Sequence, residues 1–246
     1  MTSHILSGKI ALVTGGSRGM GRQMVLAFAA AGADVIISSR KQEACEEVAA
    51  EVRALGRRAE AIAAHAGDWG QMEALAERGW KAFGRIDILV NNAGMSPVEP
   101  QSVTTTEALF DKVISVNFKG PFRLAALIGT RMRDEGVEGS IINISSLGAV
   151  SPQPGIIPYA GAKAALNAMT VGLAREFAPS VRVNTISPGM FATDIAKHWT
   201  NTEAMTAGIP MGRFGEPEEI VGTALYLASA ASSYTTGANI AVGGGI

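Results

Sequence analysis

Seven short apolar runs alternate with helix-length segments along the whole of this 246-residue chain, and this alternation constrains its fold more than any other feature. The runs are Ile10–Thr14, Val35–Ser39, Ala59–Ala64, Ile86–Asn91, Ser140–Ser145, Val181–Ser187 and Asn239–Val242. Each has the length of a strand, and near-continuous apolar character marks strands covered on both faces. The segments between them are amphipathic or rich in alanine, including Arg22 to Ala31, Glu107–Arg133 and Tyr159–Ala178. Strand and helix in alternation predict a parallel sheet with helices on both faces. Right-handed crossovers then give an α/β, Rossmann-type doubly wound sheet of about seven strands. No Pro-, Gly- or Ser-rich linker and no repeat interrupts the pattern, so residues 1–246 are expected to form a single domain. The least regular stretch, 190–215, mixes Phe191, Trp199, Met205, Met211 and Phe214 with polar residues and glycine, as expected of a substrate lid.

Composition removes several classes of function. Hydrophobic residues make up 47% of the chain, enough for a large core, while a net charge of −1 leaves no basic excess for nucleic acid. The longest apolar run, Met24 to Ala33, is broken by Gly32 and falls well short of the ~20 residues that span a bilayer, so no membrane partner is expected. The N-terminus lacks the basic start and apolar stretch of a secretory signal. Cys45, the single cysteine, has no partner for a disulfide and no neighbouring metal ligands. A reducing, cytoplasmic setting and no metal are the expectation, with Cys45 incidental.

The first run leads into Thr14-Gly15-Gly16-Ser17-Arg18-Gly19-Met20-Gly21, and a helix follows, closed by Gly32. Glycines at 15, 19 and 21 permit a tight turn and close approach of a pyrophosphate to the backbone around Ser17, Arg18 and Met20. The helix N-terminus adds free N–H groups and a positive dipole end. A G-x-x-x-G-x-G turn between strand and helix therefore predicts a dinucleotide site. The second run ends in Ser39-Arg40. An NAD site commonly places a carboxylate there for the ribose 2′-hydroxyl. Arg40, with Arg18, instead suits a 2′-phosphate, so NADP(H) is expected over NAD(H).

Tyr159 and Lys163 lie four residues apart in an alanine-rich helical segment, and Ser146 lies thirteen residues before the tyrosine. Residues four apart share a helix face. A close ammonium favours the phenolate and lowers a phenol pKa from its usual ~10. Such a phenol suits proton delivery to a carbonyl oxygen. Asp87 opens an otherwise apolar run and is expected to cap structure there, and Ser145 to serve packing at a strand end.

Together with Asn91-Asn92-Ala93-Gly94, these residues resemble the short-chain dehydrogenase/reductase family over essentially the whole chain. The resemblance implies that Tyr159 is the general acid and base, that Lys163 lowers its pKa and binds the nicotinamide ribose, and that Ser146 holds the carbonyl oxygen. It adds Asn117 as the residue that fixes a water beside Lys163. It also implies cofactor contacts from Asn92, Ala93 and Gly94, and from Pro188, Gly189, Phe191 and Thr193. Two positions depart from the family pattern. His65, beside Ala66, stands near the place of an acidic adenine contact. Gly243 replaces the aspartate of a frequent Asp-Gly-Gly, which is expected to loosen the tail.

The pocket wall is expected from Ser96, Pro97, Leu147, Gly148, Pro152, Ile156 and Met190, mostly apolar, so the substrate is expected to be an uncharged or hydrophobic ketone or its alcohol. A 3-oxoacyl thioester is one candidate. An acyl-carrier partner calls for basic residues at the entrance; Arg131 and Arg133 are available, but Phe177-Ala178-Pro179-Ser180 carries no positive charge. The family resemblance implies a homotetramer or dimer packed through the long helices. The rival reading is a nucleotide-binding sensor or scaffold of the same fold without chemistry.

Overall fold

The computed structural model describes residues 4–193 and 202–246. Its seven strands are β1 (Ile10–Thr14), β2 (Asp34–Ser39), β3 (Ala59–Ala63), β4 (Ile88–Asn91), β5 (Gly139–Ile144), β6 (Val181–Pro188) and β7 (Asn239–Val242). They form one sheet in the order β3-β2-β1-β4-β5-β6-β7. Every pairing is parallel, with Val13 beside both Ile37 and Val90, and Asn91 beside Asn143. The order reverses between β1 and β4, which opens a crevice at the carboxyl ends of those strands.

Side chains alternate across a strand, so each run feeds two cores. Ala11, Val13, Val35, Ile37, Val90, Ile142 and Ile144 belong to one, with α1 (Gly19–Ala30), α2 (Gln42–Ala54) and, beyond the short α7 (Thr202–Ala207), α8 (Val221–Ala228). Leu12, Ile36, Leu89, Ile141 and Val183 belong to the other, with α3 (Trp69–Phe83), α5 (Gly120–Asp134) and α6 (Ile157–Phe177). Full burial of each such Val, Leu or Ile side chain contributes about 1.5–3 kcal/mol. This two-sided burial is why the runs read as nearly continuous rather than alternating.

Local signals set the helix ends. Gly32 takes φ +100° just beyond α1, and Gly84 takes φ +81° at the end of α3. Asp68 caps α3 by accepting from the Gln71 amide. Glu216 and Glu219 form a reciprocal capping box before α8. The expected helix Glu107–Arg133 is divided: α4 (Glu107–Ile114) passes through a wide π turn at Ser115–Lys119 before α5 begins. Such turns interrupt helices where a side chain needs a particular position. Asn117 lies in this one, and its Nδ2 donates to the Val113 carbonyl at 2.9 Å.

The amino edge of the sheet is held by charge. The buried Asp87 carboxylate accepts from the Ile10 amide at 2.9 Å, Arg85 Nε at 3.1 Å and Lys9 Nζ at 3.3 Å. It ties β1 to β4 at the end opposite the crevice, which agrees with the capping role and removes it from any chemistry. Cys45 is not incidental to the fold. It is buried in the core with Val48, Ala49 and Val52, and its Sγ lies 3.1 Å from Ser39 Oγ.

Candidate active site

The glycine turn follows β1 at the carboxyl edge. Its shape is dictated by backbone meeting backbone: a Cβ at Gly21 would stand 2.2 Å from the Gly15 carbonyl oxygen. Gly15 and Gly19 hold φ +64° and +53°, a region that favours glycine. α1 starts at Gly19, earlier than expected, and Arg18 at its N-cap makes no side-chain cap hydrogen bond. The first-turn amides are therefore presented to the crevice, as a phosphate-binding helix end requires. This cradle fits a pyrophosphate.

Asn91-Asn92-Ala93-Gly94 braces the turn from β4. Asn92 Nδ2 donates to the Thr14 and Gly15 carbonyls at 3.0 and 3.2 Å, and Thr14 Oγ1 accepts from the Asn92 and Ala93 amides. Asn91 Nδ2 donates to Asn143 Oδ1 at 2.9 Å, linking β4 to β5 inside the core. Thr193 reaches the same turn from beyond β6; a Cβ on Gly19 would lie 3.6 Å from its Cγ2. Ser39 is half-buried and Arg40 and Arg18 are exposed at the mouth. His65 Nδ1 accepts from the Gly67 amide at 3.1 Å, so the imidazole shapes its own loop beside Ala66.

β5 delivers three successive residues to α6. The Ile144 carbonyl accepts from Lys163 Nζ at 2.7 Å, Ser145 Oγ donates to the Lys163 carbonyl at 3.2 Å, and the Ser146 side chain hydrogen-bonds the Tyr159 phenol. Lys163 is buried, with Nζ 5.8 Å from the centre of the Tyr159 ring. Asn117 completes the group: its Oδ1 accepts from the Met95 amide at 3.1 Å and its Nδ2 donates to the Met95 carbonyl at 2.9 Å. A Cβ at Gly94 would lie 3.0 Å from Asn117 Oδ1 and 3.6 Å from Lys163 Nζ, so the two side chains face one small space. The four residues named in the catalytic group thus meet at one end of the sheet.

Electrostatics differ from the expectation. Burial pushes the Tyr159 phenol above its ordinary value, and the Ser146 hydrogen bond only partly offsets this. Burial pushes Lys163 down to about 7. In the chain alone, the ammonium therefore does not drive the phenol low, because desolvation penalises the charged form of both groups.

Leu147, Gly148 and Ile156 stand beside Ser146. Gly148 N donates to Ser146 Oγ at 3.0 Å, and a Cβ on Gly148 would lie 3.3 Å from Ile156 Cδ1. Ser96 and Met190 are half-buried in the loops after β4 and β6. Pro188 ends β6, and the Gly189 amide donates to Val242. The expected lid is stitched at its base, with Phe191 buried against Gly215 and Gly215 N donating to Met190 O. Its middle, including Trp199, falls outside the described residues.

Ser145 was missed as a functional neighbour. Its hydroxyl fastens the backbone of Lys163, and only its adjacence to Ser146 hinted at this. Among the described residues no group of three His, Cys, Asp or Glu side chains is placed to hold a metal, and no helix is long and apolar enough to cross a membrane.

A dinucleotide cradle beside a half-buried tyrosine and a buried lysine, at the switch point of a doubly wound sheet, defines a nicotinamide-dependent oxidoreductase. Residues 15–246 match the family model described as enoyl-(acyl carrier protein) reductase. This chain belongs to the short-chain dehydrogenase/reductase family. Human dehydrogenase/reductase SDR family member 4 is 36% identical over 245 residues, covering 98% of this chain and 88% of that protein. The 3-oxoacyl-(acyl-carrier-protein) reductase FabG of Thermotoga maritima is 36% identical over 244 residues, covering 98% of each. A short-chain type dehydrogenase/reductase from Mycobacterium marinum superposes with a TM-score of 0.92 at 37% identity, covering 97% of this chain and 95% of that one. Blue fluorescent protein from a metagenomic library, solved in complex with NADPH, gives 0.92 at 35% identity over 98% of both chains.

Proposed function

We propose that the chain acts as one catalytic domain, an NADP(H)-dependent reductase that interconverts an uncharged or hydrophobic ketone and its secondary alcohol. The observation that carries this reading is the three-point attachment of β5 to α6, which sets Ser146, Tyr159 and Lys163 together in the crevice. When bound, the nicotinamide supplies or accepts the hydride; position and proton transfer fall to the protein. Ser146 donates to the carbonyl oxygen, where negative charge develops. Tyr159 gives that oxygen its proton in reduction and takes it back in oxidation. Lys163 would bind the nicotinamide ribose and, in its protonated form, favour the phenolate once the cofactor is in place. The space that Asn117 shares with Lys163 beside Gly94 holds the water through which the site regains its proton. Arg40 and Arg18, with the neighbouring Ser39, would hold the 2′-phosphate of the cofactor.

The apolar residues beside Ser146 favour a substrate without charge. Arg131 is engaged by Glu135 and Glu77 and lies over the Trp80 ring, and Arg133 pairs with Asp134. These internal pairings disfavour an acyl-carrier partner at that surface. A homotetramer (or dimer) in the cytoplasm is the proposed working form. Exposed Phe110, Phe122 and Val171 on α4, α5 and α6 support it, and light scattering tests it.

Tyr159→Phe tests the mechanism. Turnover of a ketone panel should fall by about 10²–10⁴-fold, the range for loss of a positioned acid, while NADPH fluorescence quenching is retained. A Tyr159→Phe enzyme as fast as wild type would end the assignment. NADPH binding by wild type without turnover of any ketone or alcohol would favour the nucleotide sensor instead.

A further inference from the structure

Gly243-Gly244-Gly245 does not hang loose at the C-terminus. A Cβ on Gly243 would stand 2.2 Å from Leu147 Cδ1, and the Gly243 Cα lies 2.8 Å from where a Cβ on Gly189 would be. The Gly244 carbonyl accepts from the Met211 amide at 3.1 Å, and a Cβ on Gly244 would lie 2.9 Å from Ile209 Cγ2. A Cβ on Gly245 would come within 2.9 Å of Pro210. The tail therefore seats three segments at once: the turn after Ser146, the loop after β6, and residues 209–211.

We propose that Gly243 is a specificity-determining residue: its missing side chain leaves a slot into which Leu147 retracts, and this sets the width of the carbonyl site beside Ser146. The inference rests on the oxidoreductase reading above. The Leu147 backbone is pinned, because Gly148 N donates to Ser146 Oγ and Ala149 N to the Ser146 carbonyl, each at 3.0 Å. Its Cδ1 is the free end of a rotatable side chain. A methyl group at position 243 is then absorbed by Leu147 turning out of the slot, rather than by the backbone moving. Expelled from the tail, the leucine narrows the space it shares with Ile156, which packs by Gly148 on the same turn. A bulky ketone feels that narrowing and a small one does not.

The test is kcat/KM with NADPH across methyl ketones of increasing chain length and cyclic ketones of increasing size. Gly243→Ala should lower the bulky-to-small ratio by about tenfold, the scale of one methylene in an apolar pocket, with NADPH affinity unchanged. Adding Leu147→Ala to it should return the ratio to the wild-type value or beyond. Leu147→Ala alone should raise the ratio, and it decides the matter if Gly243→Ala fails to fold. An unchanged ratio in Gly243→Ala, or in Leu147→Ala where that variant decides, overturns the inference while leaving the oxidoreductase reading intact. So does a double variant no better than Gly243→Ala. Wild type inert toward every ketone and alcohol, yet binding NADPH, overturns both.

Discussion

The glycine turn after β1 and the glycine run after β7 use the same residue against different neighbours. At Gly21 the space for a Cβ is filled by the Gly15 carbonyl oxygen, part of a backbone fixed by Asn92 and Thr14. At Gly243 it is filled by the tip of Leu147, which can rotate. A backbone obstacle cannot yield without breaking the turn, whereas a side-chain obstacle can be redirected. On the proposed reading, the first glycine governs whether a cofactor binds, and the second governs what is accepted beside it. Rigid shape dominates the half of the crevice under β1 and β4. Side-chain contacts dominate the half under β5 to β7.

Substitutions in the first half should act through cofactor binding. Gly21→Ala carries the largest expected effect, an overpacking loss of about 1–3 kcal/mol or more in stability together with loss of the NADPH site. Thermal melts check it: NADPH should raise the wild-type melting temperature and leave the variant unmoved. An equal shift in both proteins would break the distinction between backbone and side-chain glycines. Arg40→Asp comes next. Removing a charge-assisted contact and adding repulsion should raise the NADPH KM about ten- to hundredfold, with NADH much less affected. An unchanged cofactor preference would remove Arg40 from the site.

The smallest effect belongs to the second half. Ser145→Ala removes one of two tethers on Lys163, a neutral hydrogen bond worth about 0.5–1.5 kcal/mol. The expected drop in kcat is roughly two- to tenfold with the cofactor KM unchanged, and Ser145→Thr should recover most of it. A wild-type kcat in Ser145→Ala would show that the Ile144 carbonyl alone holds the lysine.

Much of this was legible in the sequence because it is periodic or local. β1 begins and ends at the expected residues, since an apolar run buried on both faces has sharp edges; β7 does so too, although it is only partly buried. α1 begins before Arg22 because the chain turns into the helix directly at the end of the glycine turn, at Gly19. The Tyr159–Lys163 spacing put both side chains on one face of α6. What stayed hidden depends on contacts distant in the chain. The Leu147–Gly243 contact spans nearly a hundred residues. The π turn around Asn117 leaves no composition signal. Ser145 looked like filler because its partner is a backbone carbonyl. The charge balance of Tyr159 and Lys163 was misjudged because spacing reveals proximity but not desolvation, and here desolvation prevails.

The pH dependence of ketone reduction at saturating NADPH and substrate tests the central claim most directly. Burial keeps the Tyr159 phenol protonated through neutral pH. Reduction, which needs the phenol, should therefore hold steady there and fall about tenfold per pH unit once the group ionises. Alcohol oxidation, which needs the phenolate, should rise over the same interval. The residual rate of Tyr159→Phe should lack that ionisation. A variant that keeps both the alkaline fall and the wild-type rate would contradict the assignment of Tyr159 as the proton donor.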